Sequence, residues 1–258
     1  MKIIYTDLDG TLLHSETYSF QDAEQGLTLI RKEKIPLVIC TSKTRAEIEE
    51  WRERLQNHHP FVSENGGGIF IPRGYFDFDL DYDQKSRHYV VIKLGADYKR
   101  LVEVLEKVKK DYPVQGFHQM RAEEVAEDAG MPLEQAKKAK QRDFDEPFKI
   151  LDEKYKQDIL RMIQRNGLNC TAGSRYYHLM GKSDKGKAVK ILIGLFRRQH
   201  GHITTIGIGD SENDFPMLEA VDHPYLVMRG KGSYASTRFG MAEGVGPKGW
   251  NKVILKEL

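Results

Sequence analysis

Residues Ile3 to Leu13, the run Ile-Ile-Tyr-Thr-Asp-Leu-Asp-Gly-Thr-Leu-Leu, constrain the fold more than any other stretch. Residues of buried-strand type stop at Asp7, a second carboxylate follows at Asp9, and Gly10 permits a sharp change of direction. In open α/β sheets ligands bind outside the carboxyl ends of the strands, so Asp7 is expected at such an edge. Two anions this close repel each other unless a cation or a shared proton compensates. A hard divalent cation such as Mg2+ does so with one or two carboxylates, substrate phosphate and water. Asp-x-Asp-Gly by itself also suits an ordinary strand followed by an Asp-Gly turn.

Composition limits the classes of function. At 258 residues, with 40% hydrophobic and 10% aromatic content, the chain can fill one large core or two smaller ones. The formal net charge of +2 is near balance, and Lys and Arg are spread along the chain, which argues against nucleic acid as the partner. Cys40 and Cys170 stand far apart, without the spacing of a disulfide framework or a zinc site. A reducing cytosol is the expected setting. No long uncharged apolar run suits a bilayer, and the first strand begins too early to leave room for a signal peptide. A soluble, cytoplasmic chain with no membrane partner is expected.

Strand and helix patterns then alternate. Gln21 to Lys34 carries a helical stripe of Ala23, Leu27 and Ile30, and Leu37 to Cys40 forms a second apolar strand. In a parallel sheet that strand delivers Thr41 and Ser42 to the edge where Asp7 lies; hydroxyls there suit a phosphate oxygen, or simply satisfy the turn's backbone. Thr44 and Glu47 have capping-box spacing for the next helix. Phe61 to Pro72 predicts a hairpin around Gly66, Gly67 and Gly68, with its Glu64-Asn65-Gly66 corner toward the cleft. No P-loop lysine and hydroxyl follow those glycines.

Residues 83–180 read as a mixed insert, a small sheet covered by helices, including one opened by Pro132 and running through Arg142. Asp184 then caps a helix with Lys185 at its first position. Helix dipole and ammonium both favour an anion there, although a lysine on a solvated first turn fits the same pattern. Ile203 to Ile208 predicts a strand that turns at Asp210. Tyr225 to Met228 predicts a last core strand, with Gly244, Gly246 and Gly249 as loop before a terminal helix or strand.

Four strings in this order carry a resemblance. Asp7-Leu8-Asp9-Gly10-Thr11, Thr41, Ser183-Asp184-Lys185-Gly186-Lys187-Ala188 and Gly209-Asp210-Ser211-Glu212-Asn213-Asp214 resemble the motifs of the haloacid dehalogenase-like phosphohydrolases. The Glu64-Asn65-Gly66 corner resembles their Cof-like branch. The resemblance implies an α/β fold, with a Rossmann-like core of parallel sheet flanked by helices over residues 1–82 and 181–258, and an inserted α+β cap of the C2 type over 83–180. Thr41-Ser42-Lys43-Thr44-Arg45, Glu123-Glu124-Val125-Ala126, Phe144-Asp145-Glu146-Pro147-Phe148 and Arg175-Tyr176-Tyr177-His178-Leu179 look like the mannosyl-3-phosphoglycerate phosphatases. Ser174 departs from them, standing where a Gly-Gly-Arg pattern has glycine.

The resemblance implies that Asp7 is the nucleophile and forms an aspartyl phosphate, that Asp9 acts as general acid and then base, and that Thr41 and Lys185 position the phosphate. Mg2+ is the implied cofactor, held by Asp7, Asp210 and a backbone carbonyl of Asp9, with Asn213 and Asp214 supporting it from behind. Ser42, Glu64, Asn65, Glu146 and Arg175 are candidates for substrate contact, a structural salt bridge suiting Arg175 equally. The implied partner is a small phosphorylated sugar-glycerate, with monomer and homodimer both open. The alternatives are a phosphatase of glucosyl-3-phosphoglycerate or sucrose phosphate, a phosphosugar mutase of related fold, and a sugar-phosphate binding protein.

Overall fold

The computed structural model describes every residue except Ser174 and Lys231, so the departure at Ser174 lies outside the described residues. The strands are β1 (Lys2–Thr6), β2 (Leu37–Cys40), β3 (Phe61–Ser63), β4 (Gly68–Pro72), β5 (Gln84–Lys85), β6 (Tyr89–Lys93), β7 (Val114–Gly116), β8 (Asp145–Ile150), β9 (Asn169–Ala172), β10 (Tyr177–Met180), β11 (Thr204–Gly209), β12 (His223–Met228) and β13 (Gly240–Val245). The helices are α1 (Glu24–Lys32), α2 (Arg45–Arg54), α3 (Tyr98–Asp111), α4 (Ala122–Ala129), α5 (Leu133–Ala139), α6 (Lys156–Arg165), α7 (Lys185–His200), α8 (Phe215–Leu218) and α9 (Pro247–Glu257).

The larger sheet runs β13-β12-β11-β1-β2-β3-β4-β6-β5, and its pairs from β13 to β3 are parallel. A parallel sheet is covered on both faces, which is why β1 and β2 are apolar along their whole length and not in alternation. Successive side chains serve opposite layers. Ile4 and Ile39 join a cluster with Leu27, Trp51 and Trp250 from α1, α2 and α9, while Ile3, Tyr5 and Val38 pack with Val189, Leu192 and Phe196 of α7. Asp7 and Asp210 thereby emerge together where β1 and β11 end.

The second sheet, β7-β8-β10-β9, is antiparallel. One of its faces packs through Phe148 and Leu179 on Leu101 and Leu105 of α3 and Ile159 and Ile163 of α6. Because side chains alternate, the other face carries Asp145 and His178.

Three expectations change. The predicted boundary at residue 83 falls inside the larger sheet, since β6 pairs antiparallel with β4 from Gly68–Lys93 to Pro72–Tyr89. The chain leaves that sheet at Leu94 and Gly95, whose amides both bond the Gly67 carbonyl, at 2.9 and 2.8 Å. Tyr225 to Met228 is followed by one more strand, β13, which pairs in parallel with β12; its glycines and exposed residues mask it in the sequence. The helix after Pro132 stops at Ala139, and the segment beyond it turns back toward the core. Among the described residues no helix is long and apolar enough to cross a membrane.

Gly66, Gly67 and Gly68 are small because of what touches them. A Cβ on Gly67 would lie 2.3 Å from Phe144 Cβ, and one on Gly68 would lie 2.5 Å from the Phe144 ring. Phe144 is thus seated on the corner, and a Cβ on Gly95 would strike it too, at 2.9 Å. The glycine run joins the two sheets.

Candidate active site

Asp7 is 5% exposed at the end of β1, and its amide bonds the Ile208 carbonyl at 3.0 Å, tying it to β11. Trp250 Nε1 donates to Thr6 Oγ1 at 3.0 Å, and Thr6 Oγ1 donates to the Asp7 carbonyl at 2.8 Å, so α9 fixes the backbone under the carboxylate. Gly10 reverses the chain at φ 76°; a Cβ there would come within 3.0 Å of Asp210 Oδ2.

Lys185 opens α7 behind the N-cap Asp184, whose side chain accepts from the Lys187 amide. Its buried ammonium lies 2.8 Å from Asp7 Oδ1 and 2.6 Å from Asp214 Oδ1. The other Asp214 oxygen accepts from the amides of Asp210 and Ser211 at 3.0 and 3.1 Å, which shapes the turn after β11. Asp214 is therefore engaged through both oxygens. Asp210 accepts from Thr11 Oγ1 at 3.3 Å, and its carbonyl accepts from Arg229 at 2.9 Å.

Carboxylate oxygens of Asp7, Asp210 and Asp214 lie within 4.8 Å of one another. Burial pushes the Asp7 carboxyl up to about 8 against the pull of Lys185, with Asp214, Asp210 and Asp9 adding to the rise. Burial, then Asp214, raises Asp210 to about 6. Closely set carboxylates with an excess of negative charge suit a hard divalent cation. Since Asp214 is engaged by Lys185 and two amides, Asp7 and Asp210 are the side chains with coordinating capacity to spare. Mg2+ fits such a donor set.

The other expected residues fall into two groups. Thr41 is fully buried beside the cluster at the end of β2, and Ser42 follows it, its carbonyl accepting from Arg142 Nη1 at 3.0 Å. Asn65 accepts from Asn213 Nδ2 at 3.1 Å and donates to Asp145 Oδ2 at 3.3 Å, linking the turn after β11 to the second sheet. Glu64 is turned away from this path: its carboxylate receives the amides of Asp143 and Phe144, the latter at 2.8 Å. Glu146 is fully buried and points to the helical side of its sheet, taken by Tyr98 at 2.6 Å and His118 at 2.7 Å. Arg175 donates to the Ala129 carbonyl at the end of α4. Among the described residues, Glu64, Glu146 and Arg175 share no hydrogen bond with Asp7, Asp210 or Asp214.

Two residues without an expected role do reach toward it. Asp145 bonds His178 Nδ1 at 2.9 Å on the face turned to the core, and period-two alternation along β8 would have separated it from Glu146. Lys43 Nζ lies 2.8 Å from Asp9 Oδ2, and its position directly after Thr41-Ser42 was the available signal.

Residues 4–233 match the family described as haloacid dehalogenase-like hydrolase. The chain is 45% identical to the glucosyl-3-phosphoglycerate/mannosyl-3-phosphoglycerate phosphatase of Methanococcoides burtonii, covering 98% of this chain and 96% of that one. It is 36% identical to the mannosyl-3-phosphoglycerate phosphatase of Pyrococcus horikoshii, covering 88% and 90%. A solved Thermoplasma acidophilum structure has the same fold, with a TM-score of 0.71 at 16% identity and coverage of 99% and 97%. With Asp7, Thr41 and Asp210 following the ends of β1, β2 and β11 and Lys185 at the start of α7, the chain belongs to the haloacid dehalogenase-like hydrolases and is a phosphoric monoester hydrolase.

Proposed function

We propose that the chain removes phosphate from mannosyl-3-phosphoglycerate and glucosyl-3-phosphoglycerate through an aspartyl phosphate on Asp7. The carrying observation is the buried bridge from Asp7 through Lys185 to Asp214, which holds a carboxylate at a strand end beside a fixed cation. The sugar-glycerate class is supported by the activities for which the two phosphatase relatives are named, the Methanococcoides burtonii one for both substrates.

Asp7 Oδ1 is held by Lys185, leaving the second oxygen to attack phosphorus in line with the departing glycerate oxygen. The new Asp7–phosphorus bond forms as the phosphorus–oxygen bond to the glycerate breaks, and Asp9 gives its proton to the departing oxygen. Asp9 then accepts a proton from water as water attacks phosphorus, and Asp7 is released with inorganic phosphate. Thr41 and Lys185 orient the phosphoryl oxygens. Mg2+, when bound by Asp7, Asp210 and the Asp9 carbonyl, supplies positive charge to the transferring group. Asn213 and Asp214 keep the Asp210 turn in place, and Ser42 and Asn65 lie on the substrate's side of the cluster.

The test is phosphate release from mannosyl-3-phosphoglycerate, glucosyl-3-phosphoglycerate, sucrose phosphate and hexose phosphates, with Mg2+ or with EDTA. Asp7→Asn serves as the blank. Strong, Mg2+-dependent preference for the two glycerate esters is expected. Equal release from all four classes would discard the narrow substrate, and turnover by Asp7→Asn at the wild-type rate would discard the nucleophile.

A further inference from the structure

We infer that Lys43 is a positioning residue for Asp9, holding its carboxylate in one orientation toward the leaving group. This rests on the assignment of Asp9 as general acid. The two oxygens of Asp9 differ: Oδ2 lies 2.8 Å from Lys43 Nζ, whereas Oδ1 is buried and has no hydrogen-bond partner among the described residues. A buried, unpaired carboxylate oxygen costs free energy unless something else meets it. The ion pair at Oδ2 offsets that cost, and because Oδ1 is closed to water and so to a departing oxygen, proton transfer falls to Oδ2 in the orientation that Lys43 gives it.

Lys43 is itself built in. Its side chain is 10% exposed, and the ammonium lies 3.7 Å from Glu47 Oε1 and 5.1 Å from the centre of the Tyr18 ring. Glu47 cannot drift, because its other oxygen receives the Thr44 amide at 2.9 Å in the capping box of α2. The ammonium is therefore a fixed point on a fixed helix start. Asp9 is half-exposed on a turn, and its side chain would otherwise sample several rotamers. Preorganisation of this kind raises the rate of a proton transfer without adding a contact to the phosphate.

The consequence depends on the leaving group. An alkoxide leaves poorly and needs the proton, whereas a nitrophenolate leaves without it. A lysine that served the phosphate or the fold would affect both alike. The probes are p-nitrophenyl, phenyl and benzyl phosphate, whose leaving groups carry no carboxylate that could pair with Lys43. The parameter is kcat/KM, which reports phosphoryl transfer to Asp7, measured for the wild type, Lys43→Met and Asp9→Asn. Lys43→Met is expected to lose on the order of 10- to 100-fold on benzyl phosphate and far less on p-nitrophenyl phosphate, steepening the dependence on leaving-group pKa as Asp9→Asn does.

Retained turnover of p-nitrophenyl phosphate shows that the variant is folded. Equal losses on all three esters, or no loss on any, would overturn the role of Lys43. If Asp9→Asn itself shows no steepening, the general-acid assignment falls and the role of Lys43 with it. Steepening in Asp9→Asn alone overturns only the latter.

Discussion

Lys185 and Asp214 form an ion pair at 2.6 Å in which neither side chain is exposed, and Asp7 lies on the far side of the same ammonium. Breaking a buried pair from one side leaves an uncompensated charge and costs about 3–5 kcal/mol. Lys185→Met strands two carboxylates at once, so we expect a loss at the upper end of that range and no measurable phosphatase activity. Urea unfolding in EDTA measures the first quantity. A change below about 1 kcal/mol would show that the ion pair does not organise the core.

Gly66 should be irreplaceable for a reason distinct from that of the neighbouring glycines. Its φ is 92°, and an added Cβ would lie 2.2 Å from the Asp184 carbonyl oxygen and 2.8 Å from the Lys185 amide. Gly66→Ala therefore pushes on the start of α7 and displaces Lys185. We expect about 2–3 kcal/mol of destabilisation and a tenfold or larger drop in kcat, since ångström-scale misplacement of a catalytic group is costly. Gly74→Ala is the control, because φ there is 74° and nothing lies within 4 Å of the added methyl group. Matching effects in the two variants would mean that backbone strain alone is responsible.

The strand-end placement of Asp7, Thr41 and Asp210 was legible because each stands where an apolar run stops, after β1, β2 and β11. That signal is local, and so is the Asp184-Lys185 helix start. The second sheet offered no such punctuation. Asp145 and Glu146 are adjacent carboxylates in one strand, and only the side on which α3 packs makes one of them a neighbour of Tyr98 and the other a neighbour of Asn65. The partners of Glu64 were hidden for a similar reason. A carboxylate beside a glycine corner resembles a ligand, but its partners are amides of Asp143 and Phe144, far along the chain and invisible until the two sheets meet.

Asn65 predicts how strongly the two sheets are coupled. It is 4% exposed at φ 55°, a conformation that asparagine and aspartate tolerate better than other side chains, so Asn65→Asp keeps shape and backbone preference. The substitution instead sets a carboxylate against the buried Asp145 and removes the amide donor between them. We expect a loss of about 2–4 kcal/mol at neutral pH that shrinks in acid as the new carboxyl takes a proton, read as urea midpoints across the carboxylate range. A pH-independent loss would show that the contact with Asp145 does not matter electrostatically.

His118 gives the second sheet a pH dependence of opposite chemical origin. Burial pulls its imidazole down, but the Glu146 and Glu106 carboxylates, each 2.7 Å from a ring nitrogen, more than offset this and leave it above its ordinary 6.5. The folded state thus binds this proton more tightly than the unfolded chain does. The resulting stabilisation is complete below 6.5 and is lost as pH rises through the folded value. His118→Gln keeps a donor for Glu146 but cannot carry the charge. The difference in unfolding free energy between wild type and variant should therefore fall as pH is raised from mildly acidic to mildly alkaline. A difference that grows with pH would mean that the imidazole is neutral in the fold and that Glu146 is satisfied by Tyr98 and the His118 amide alone.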